Sequence, residues 1–142
     1  MSETPIPLLI KETSRIIRCG FDSLFDGRGI RPADGRILCA VIEDENLTSA
    51  DIREMFGLSK ATVSESLNSL ASGGFIQYIP SSTSKREKRI MATDKGHECH
   101  EEIRRAIEAF DLKAVSGLMD QEISELERLL RVVAANVGED KA

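Results

Sequence analysis

A chain of 142 residues, 41% hydrophobic and 30% charged, has ordinary soluble composition and enough residues for one domain with a core of its own. With 4% aromatic residues and no Trp, that core falls to Leu, Ile and Val, which suits helix-on-helix packing better than a β-sandwich. The formal charge of −5 argues against a uniformly basic nucleic-acid clamp. No apolar run reaches the roughly 18 residues of a membrane span, and MSETPIPLLIKETSRIIR lacks a basic leader and a small-residue cleavage site, so a cytoplasmic protein without a membrane partner is expected.

Residues 6 to 25 place Leu9, Ile10, Ile16, Ile17, Phe21 and Leu24 at helical spacings, and Asp26-Gly27-Arg28-Gly29 ends that amphipathic helix. Pro32 fits the first position of a second helix, where its missing N–H is not needed. Ile37, Leu38, Val41 and Ile42 give that helix its buried side, and Asp44-Glu45-Asn46 is a polar break. Thr48-Ser49-Ala50-Asp51 then reads as a capping box opening a short helix with Ile52, Met55 and Phe56 inward, stopped by Gly57. Ser59 caps a further helix after a turn of only a few residues, which completes a helix-turn-helix signature.

In that last helix Val63, Leu67 and Leu70 share one face. The opposite face carries Ala61, Glu65, Asn68 and Ser72, flanked by Thr62 and Ser64. Such short polar side chains let a helix come close to base edges in a major groove, so Ser59, Lys60, Ala61, Thr62, Ser64, Glu65 and Asn68 are the candidate reading residues. A solvated surface helix is the bland alternative.

Gly73-Gly74 closes the helix, and Phe75 to Ile79 alternates as a strand, with Phe75, Gln77 and Ile79 on one side and Ile76 and Tyr78 on the other. Pro80-Ser81-Ser82-Thr83-Ser84 reads as a loop, and Lys88 to Ala92 as the partner strand. The tip of this hairpin, Ser84 to Arg89, holds four cations and one acid. Ser84, Lys85, Arg86 and Lys88 are therefore candidate contacts to phosphates or a narrow minor groove. Residues 48 to 92 hold six cations against four acids, so the acidity lies elsewhere. Only the local field, within about a Debye length, matters at physiological salt.

Thr93 caps a long helix to about Gly117, with Cys99, Ile103, Ala106, Ile107, Phe110 and Ala114 on its buried stripe and Glu101 and Glu102 paired with Arg104 and Arg105. A last helix, roughly Asp120 to Val137, repeats Ile123, Leu126, Leu130, Val133 and Val137 in steps of three and four. That seam is too short for a free-standing coiled coil and needs a partner surface, for which the first helix, in its own chain or another, is the natural one. The fold class is mainly α with a small β-hairpin wing: a winged helix-turn-helix between N- and C-terminal dimerisation helices.

At this point nearly the whole chain resembles the MarR family of bacterial transcription regulators (multiple antibiotic resistance regulators). The pieces that carry the resemblance are Leu58-Ser59-x-x-Thr62-Val63-Ser64 and Ala92-Thr93-Asp94-Lys95-Gly96 after a basic wing. It implies one MarR-like domain over 1–142, with 5–30 and 94–138 as dimerisation lobe and 32–93 as DNA-binding lobe. It also implies a homodimer paired through residues such as Leu9, Ile16, Ile123, Leu126, Leu130, Val133 and Val137. The helix from Lys60 would enter the major groove of double-stranded DNA at an inverted repeat, with the wing at the minor groove or its flanking backbone. Arg86 falls at the family's wing-tip arginine. Ser84 departs from the Asp that steadies that arginine in many members, and Glu65 from a common Arg. A small-molecule effector near the first, second and fifth helices and a repressing role are family expectations.

Metal and oxidant sensing are the alternatives within the same fold. His97, His100 and Glu101 can share one side of a helix, although His97 and Cys99 cannot, and no further ligand is marked, so no cofactor or metal is expected. Cys19, Cys39 and Cys99 are scattered, odd in number and expected to be reduced, buried and small. P-loop, GxGxxG, GxSxG and HExxH signatures are lacking, which argues against an enzyme. A winged-helix protein-interaction module without DNA binding is the runner-up, supported by Glu65 and the net acidity.

Overall fold

The computed structural model describes residues 3–80 and 88–138. Its elements in chain order are α1 (Ile6–Ser23), α2 (Pro32–Glu43), α3 (Ser49–Phe56), α4 (Lys60–Ser72), β1 (Ile76–Pro80), β2 (Lys88–Ala92), α5 (Asp94–Ala114) and α6 (Asp120–Gly138). Two compact units are formed, Met1–Ile107 and Glu108–Ala142. None of the described helices is long and apolar enough to cross a membrane.

The helix starts follow from side-chain chemistry. Pro32 stands at the first turn of α2, with Arg31 extended before it. Thr48 and Asp51 form a reciprocal capping box on α3: the Asp51 N–H donates to Thr48 Oγ1 at 3.3 Å, and the Thr48 N–H donates to Asp51 Oδ2 at 2.9 Å. Gly57 ends α3 in the left-handed region at φ 61°, which a side chain would resist.

In the first unit Ile37, Leu38 and Val41 of α2, Ile52 of α3, Val63, Leu67 and Leu70 of α4, Phe75, Ile76, Ile90 and Ile103 form one apolar cluster. Phe25 and Ile30, from the turn before α2, join it. Met55 departs from expectation: it is 58% exposed, because an eight-residue helix packed on Ile52 turns its neighbour at i+4, Phe56, toward the core more than the one at i+3. The first helix stops at Ser23, two residues short of the expected end, and none of its residues is buried within the chain.

β1 and β2 pair antiparallel, with Ile76 opposite Ala92, Tyr78 opposite Ile90 and Pro80 opposite Lys88. Pro80 is therefore the last residue of a strand and not of the loop, which a two-stranded sheet allows because both strands are edges. The expected alternation from Phe75 also fails. Phe75 and Ile76 are both buried, since Phe75 precedes the strand and fills the corner where α4 ends.

That corner is tied to the start of α5 by the Thr93-Asp94-Lys95-Gly96 run. Thr93 N–H donates to Phe75 O at 3.0 Å, and Thr93 Oγ1 donates to Gly74 O while accepting from Gly96 N–H at 3.1 Å. Lys95 Nζ donates to Gly73 O at 2.6 Å and lies 4.6 Å from the centre of the Phe75 ring. Gly96 has to be glycine here, because a Cβ would strike the Phe75 carbonyl oxygen.

In the second unit α5 ends at Ala114, three residues earlier than expected, and Met119 N–H donates to Glu122 Oε1 at 3.1 Å at the start of α6. Arg128 pairs with Glu125 and Arg131 with Glu127 along the outside of α6. Its apolar seam is open, with Leu126 and Leu130 each 44% exposed. On α5 Cys99 and Ile103 are buried, Ala106, Ile107 and Phe110 half-buried, and Ala114 exposed, so the expected stripe fades toward the C-terminus.

Gly96→Ala should lower stability by roughly 1–3 kcal/mol through overpacking against backbone, although Ala in an unobstructed helix would gain about 1 kcal/mol over Gly. Urea unfolding checks this, and an unchanged or higher midpoint would contradict the close contact.

Candidate nucleic-acid interface

The turn between α3 and α4 is held by local bonds. Leu58 N–H donates to Arg53 O at 3.1 Å across Gly57, and Ser59 Oγ accepts from Thr62 N–H at 3.1 Å as the cap of α4. The Ser59 and Thr62 hydroxyls also lie 2.8 Å apart. Two of the expected reading residues thus already serve the cap.

Val63, Ser66, Leu67 and Leu70 are buried on one side of α4. Lys60, Ala61, Thr62, Ser64, Glu65, Asn68 and Ser72 are all exposed on the other. At 100° per residue, Ser64, Asn68, Ala61, Ser72 and Glu65 span about 100° of the surface. Ser66 was not among the candidates, and it extends the buried side toward α2.

The structure adds two residues that sequence reasoning passed over. Asp34, 1% exposed, is gripped by Arg31, whose Nε donates to Oδ2 at 2.9 Å and Nη2 to Oδ1 at 3.2 Å. A buried carboxylate needs such a fork, because an unpaired charge there is costly. Arg31 Nη1 also lies 3.6 Å from Glu65 Oε1 on α4. The Arg31 guanidinium is pushed above its ordinary pKa, first by its hydrogen bond to Asp34 and then by the charges of Asp34 and Glu65. The i, i+3 spacing of Arg31 and Asp34 was the available signal; nothing in the sequence pointed to Glu65 as their neighbour.

Arg89, counted in the basic tip, turns inward. Its Nη2 donates to the Glu45 carbonyl at 3.4 Å, bracing the turn before α3, while its Nε is buried with no hydrogen-bond partner among the described residues. The remaining expected wing contacts, Ser84, Lys85 and Arg86, lie outside the described residues, and Lys88 is described only as the first residue of β2.

The metal candidates are not gathered. Glu101 is held by Arg104 at 2.6 Å and by Arg105, which keep its carboxyl below the usual range, His100 Nδ1 meets Cys39 Sγ at 3.3 Å, and His97 is exposed. Among the described residues no group of three or more His, Cys, Asp or Glu is placed to hold a metal. The thiol–imidazole contact has the form of a nucleophile and its base. Its electrostatics are opposite: burial, then Glu43 and Cys99, push the Cys39 thiol up, and burial pushes Cys99 up as well. Cys19, expected to be buried, is exposed on α1.

Two helices joined by a glycine turn, a polar outer face on the second and a two-stranded wing after it define a winged helix-turn-helix. The model of the MarR family matches residues 28–87. The uncharacterized HTH-type transcriptional regulator YybA of Bacillus subtilis is 27% identical over 103 residues, 72% of this chain and 69% of its own. MepR of S. aureus, solved as a mutant, shares the fold at a TM-score of 0.88 with 19% identity, over 94% of this chain and 99% of its own. A MarR family transcriptional regulator from Listeria monocytogenes, complexed with 26mer DNA, gives a TM-score of 0.71 with 20% identity over 96% and 91% of the two chains. Over residues 28–87 the chain is similar to the MarR family, and along most of its length it shares the winged-helix fold of these solved structures.

Thiolate is the reacting form in alkylation, so Cys39 and Cys99 should react with iodoacetamide at pH 7.5 more slowly than free cysteine. Mass spectrometry of peptides over time measures this. Labelling of Cys39 as fast as the free amino acid would contradict the raised thiol.

Proposed function

We propose that the protein is a homodimeric reader of double-stranded DNA that sets two copies of α4 and of the wing against an inverted repeat. The outer face of α4 carries this reading: Ala61, Ser64, Glu65, Asn68 and Ser72 are exposed together, while the other side of the same helix is fixed in the core. A helix so divided presents short donors and acceptors on a rigid frame, which suits close approach to base edges. The 26mer DNA in the Listeria complex, on the same fold, supports it. Lys85, Arg86 and Lys88 then supply phosphate or minor-groove contacts, steadied weakly at Ser84.

Residues 5–30 and 94–138 serve as the pairing lobe and 32–93 as the reading lobe. The open apolar side chains Leu9 and Ile16 of α1 and Leu126, Leu130 and Val137 of α6, with the half-buried Ile123 and Val133, support pairing, since a monomer rarely leaves so many exposed. A ligand-responsive repressor working in the cytoplasm, with a small-molecule effector, completes the proposal. It needs no cofactor and carries out no catalysis.

The test is fluorescence anisotropy on duplexes enriched from a random pool by the wild-type protein. Arg86→Ala should weaken binding and reduce the slope of log K against log salt by about 2 per dimer, one phosphate contact from each subunit; unchanged affinity and slope would remove the wing from the mechanism. Leu126→Glu with Leu130→Glu should give a monomer in sedimentation and lose roughly 100-fold or more in affinity, because two linked sites bind far more tightly than one. A dimer with full affinity would refute pairing through α6. Failure of the wild-type protein to bind any duplex at low salt would favour a protein-interaction module.

A further inference from the structure

The Arg31–Asp34–Glu65 chain joins the start of α2 to the reading face of α4, and helix capping does not account for it. Arg31 already satisfies Asp34 with two of its nitrogens. The third is directed to Glu65, a residue of another helix, at a distance set by Coulomb attraction more than by a hydrogen bond. The side chains of Arg31 and Glu65 are 56% and 73% exposed, so their encounter is not forced by burial. Arg36 lies beside them in the same shallow cleft, with Asp22, Thr62 and Ser66, and its Nη2 faces Asp22 at 3.7 Å. Arg31 is the cation that meets Glu65.

An acid on a groove-facing helix meets two difficulties. It is repelled by phosphates, and its flexible side chain must be fixed before it can discriminate bases. A neighbouring guanidinium anchored on a buried carboxylate addresses both, offsetting the charge and restricting the rotamer, as a planar fork is pre-organised to do. We propose that Arg31 is a positioning residue for base reading: anchored on Asp34, it holds the Glu65 carboxylate on the outer face of α4, where Glu65 accepts a hydrogen bond from the exocyclic amine of one base, cytosine by preference, in each half-site. An ionised carboxylate only accepts, so it is repelled by guanine O6 and thymine O4 in the major groove and matched by the cytosine N4 amine. The inference rests on the DNA-reading role of α4 proposed above.

The experiment is selection from a random duplex pool, followed by sequencing, with the full-length wild type, Glu65→Gln, Arg31→Lys and the double variant. Arg31→Lys keeps a cation beside Asp34 and so avoids leaving a buried acid alone, but it loses the fork that spans both carboxylates. Glu65→Gln leaves the Arg31–Asp34 pair intact. The wild type should favour a cytosine-bearing pair by about 5-fold or more at one position of each half-site. Glu65→Gln should change the preferred base there. Arg31→Lys should flatten that position to less than about 2-fold and leave the others as they were, with the double variant no flatter than Glu65→Gln. An unaltered preference in Arg31→Lys would overturn the proposal, as would uniform weakening across all sequences with a smaller salt slope, the mark of a plain phosphate contact. If the wild type enriches no sequence, the DNA-reading role falls and this inference with it.

Discussion

The seating of Val63, Leu67 and Leu70 of α4 in the cluster with Ile37, Leu38, Val41 and Ile52 decides what the rest of the first unit can do. Those contacts fix the rotation of α4 about its axis, and the rotation determines which side chains face outward. A turn of one residue, about 100°, would carry Glu65 toward the position of Ser66 and expose an apolar side chain. The capped starts at Thr48 and Ser59, the left-handed Gly57 and the clasp of Thr93, Lys95 and Gly96 on the end of α4 all act to hold that rotation. The polar face is therefore a consequence of core packing as much as of its own residues.

Electrostatics refine this picture. An acidic chain can carry a DNA-reading face because the relevant charges are local. Glu65 has Arg31 beside it, and Arg31 is anchored by Asp34. The Arg89 guanidinium, by contrast, is directed to the carbonyl of Glu45. What remains for phosphate contact in the proposed mechanism is the short cationic set at Lys85, Arg86 and Lys88, together with Lys60 at the start of α4.

Much of this was legible in the sequence where local rules govern. Proline at the start of α2, the capping pairs and the helical spacing of Val63, Leu67 and Leu70 gave the element order and the two faces of α4, because each depends on residues within one turn. The failures occur where distant segments decide. Phe75 left the strand pattern because it fills a corner against the start of α5, and Met55 was displaced from the core because Phe56 is turned toward it instead. Arg31 and Asp34 were passed over for the same reason: their pairing is local, but its meaning comes from Glu65, brought there by tertiary packing. Of the expected interface, the exposure of the α4 residues could be followed in the structure, whereas Ser84, Lys85 and Arg86 lie outside the described residues.

In the proposed mechanism two reading helices, paired through the flanking helices, act on one DNA duplex. Hydroxyl-radical footprinting of the wild-type protein on an enriched duplex tests it most directly. Two protected backbone patches related by two-fold symmetry are expected, with half-site centres about 10 base pairs apart on one face of the helix. A single unpaired patch, or uniform protection without register, would contradict it.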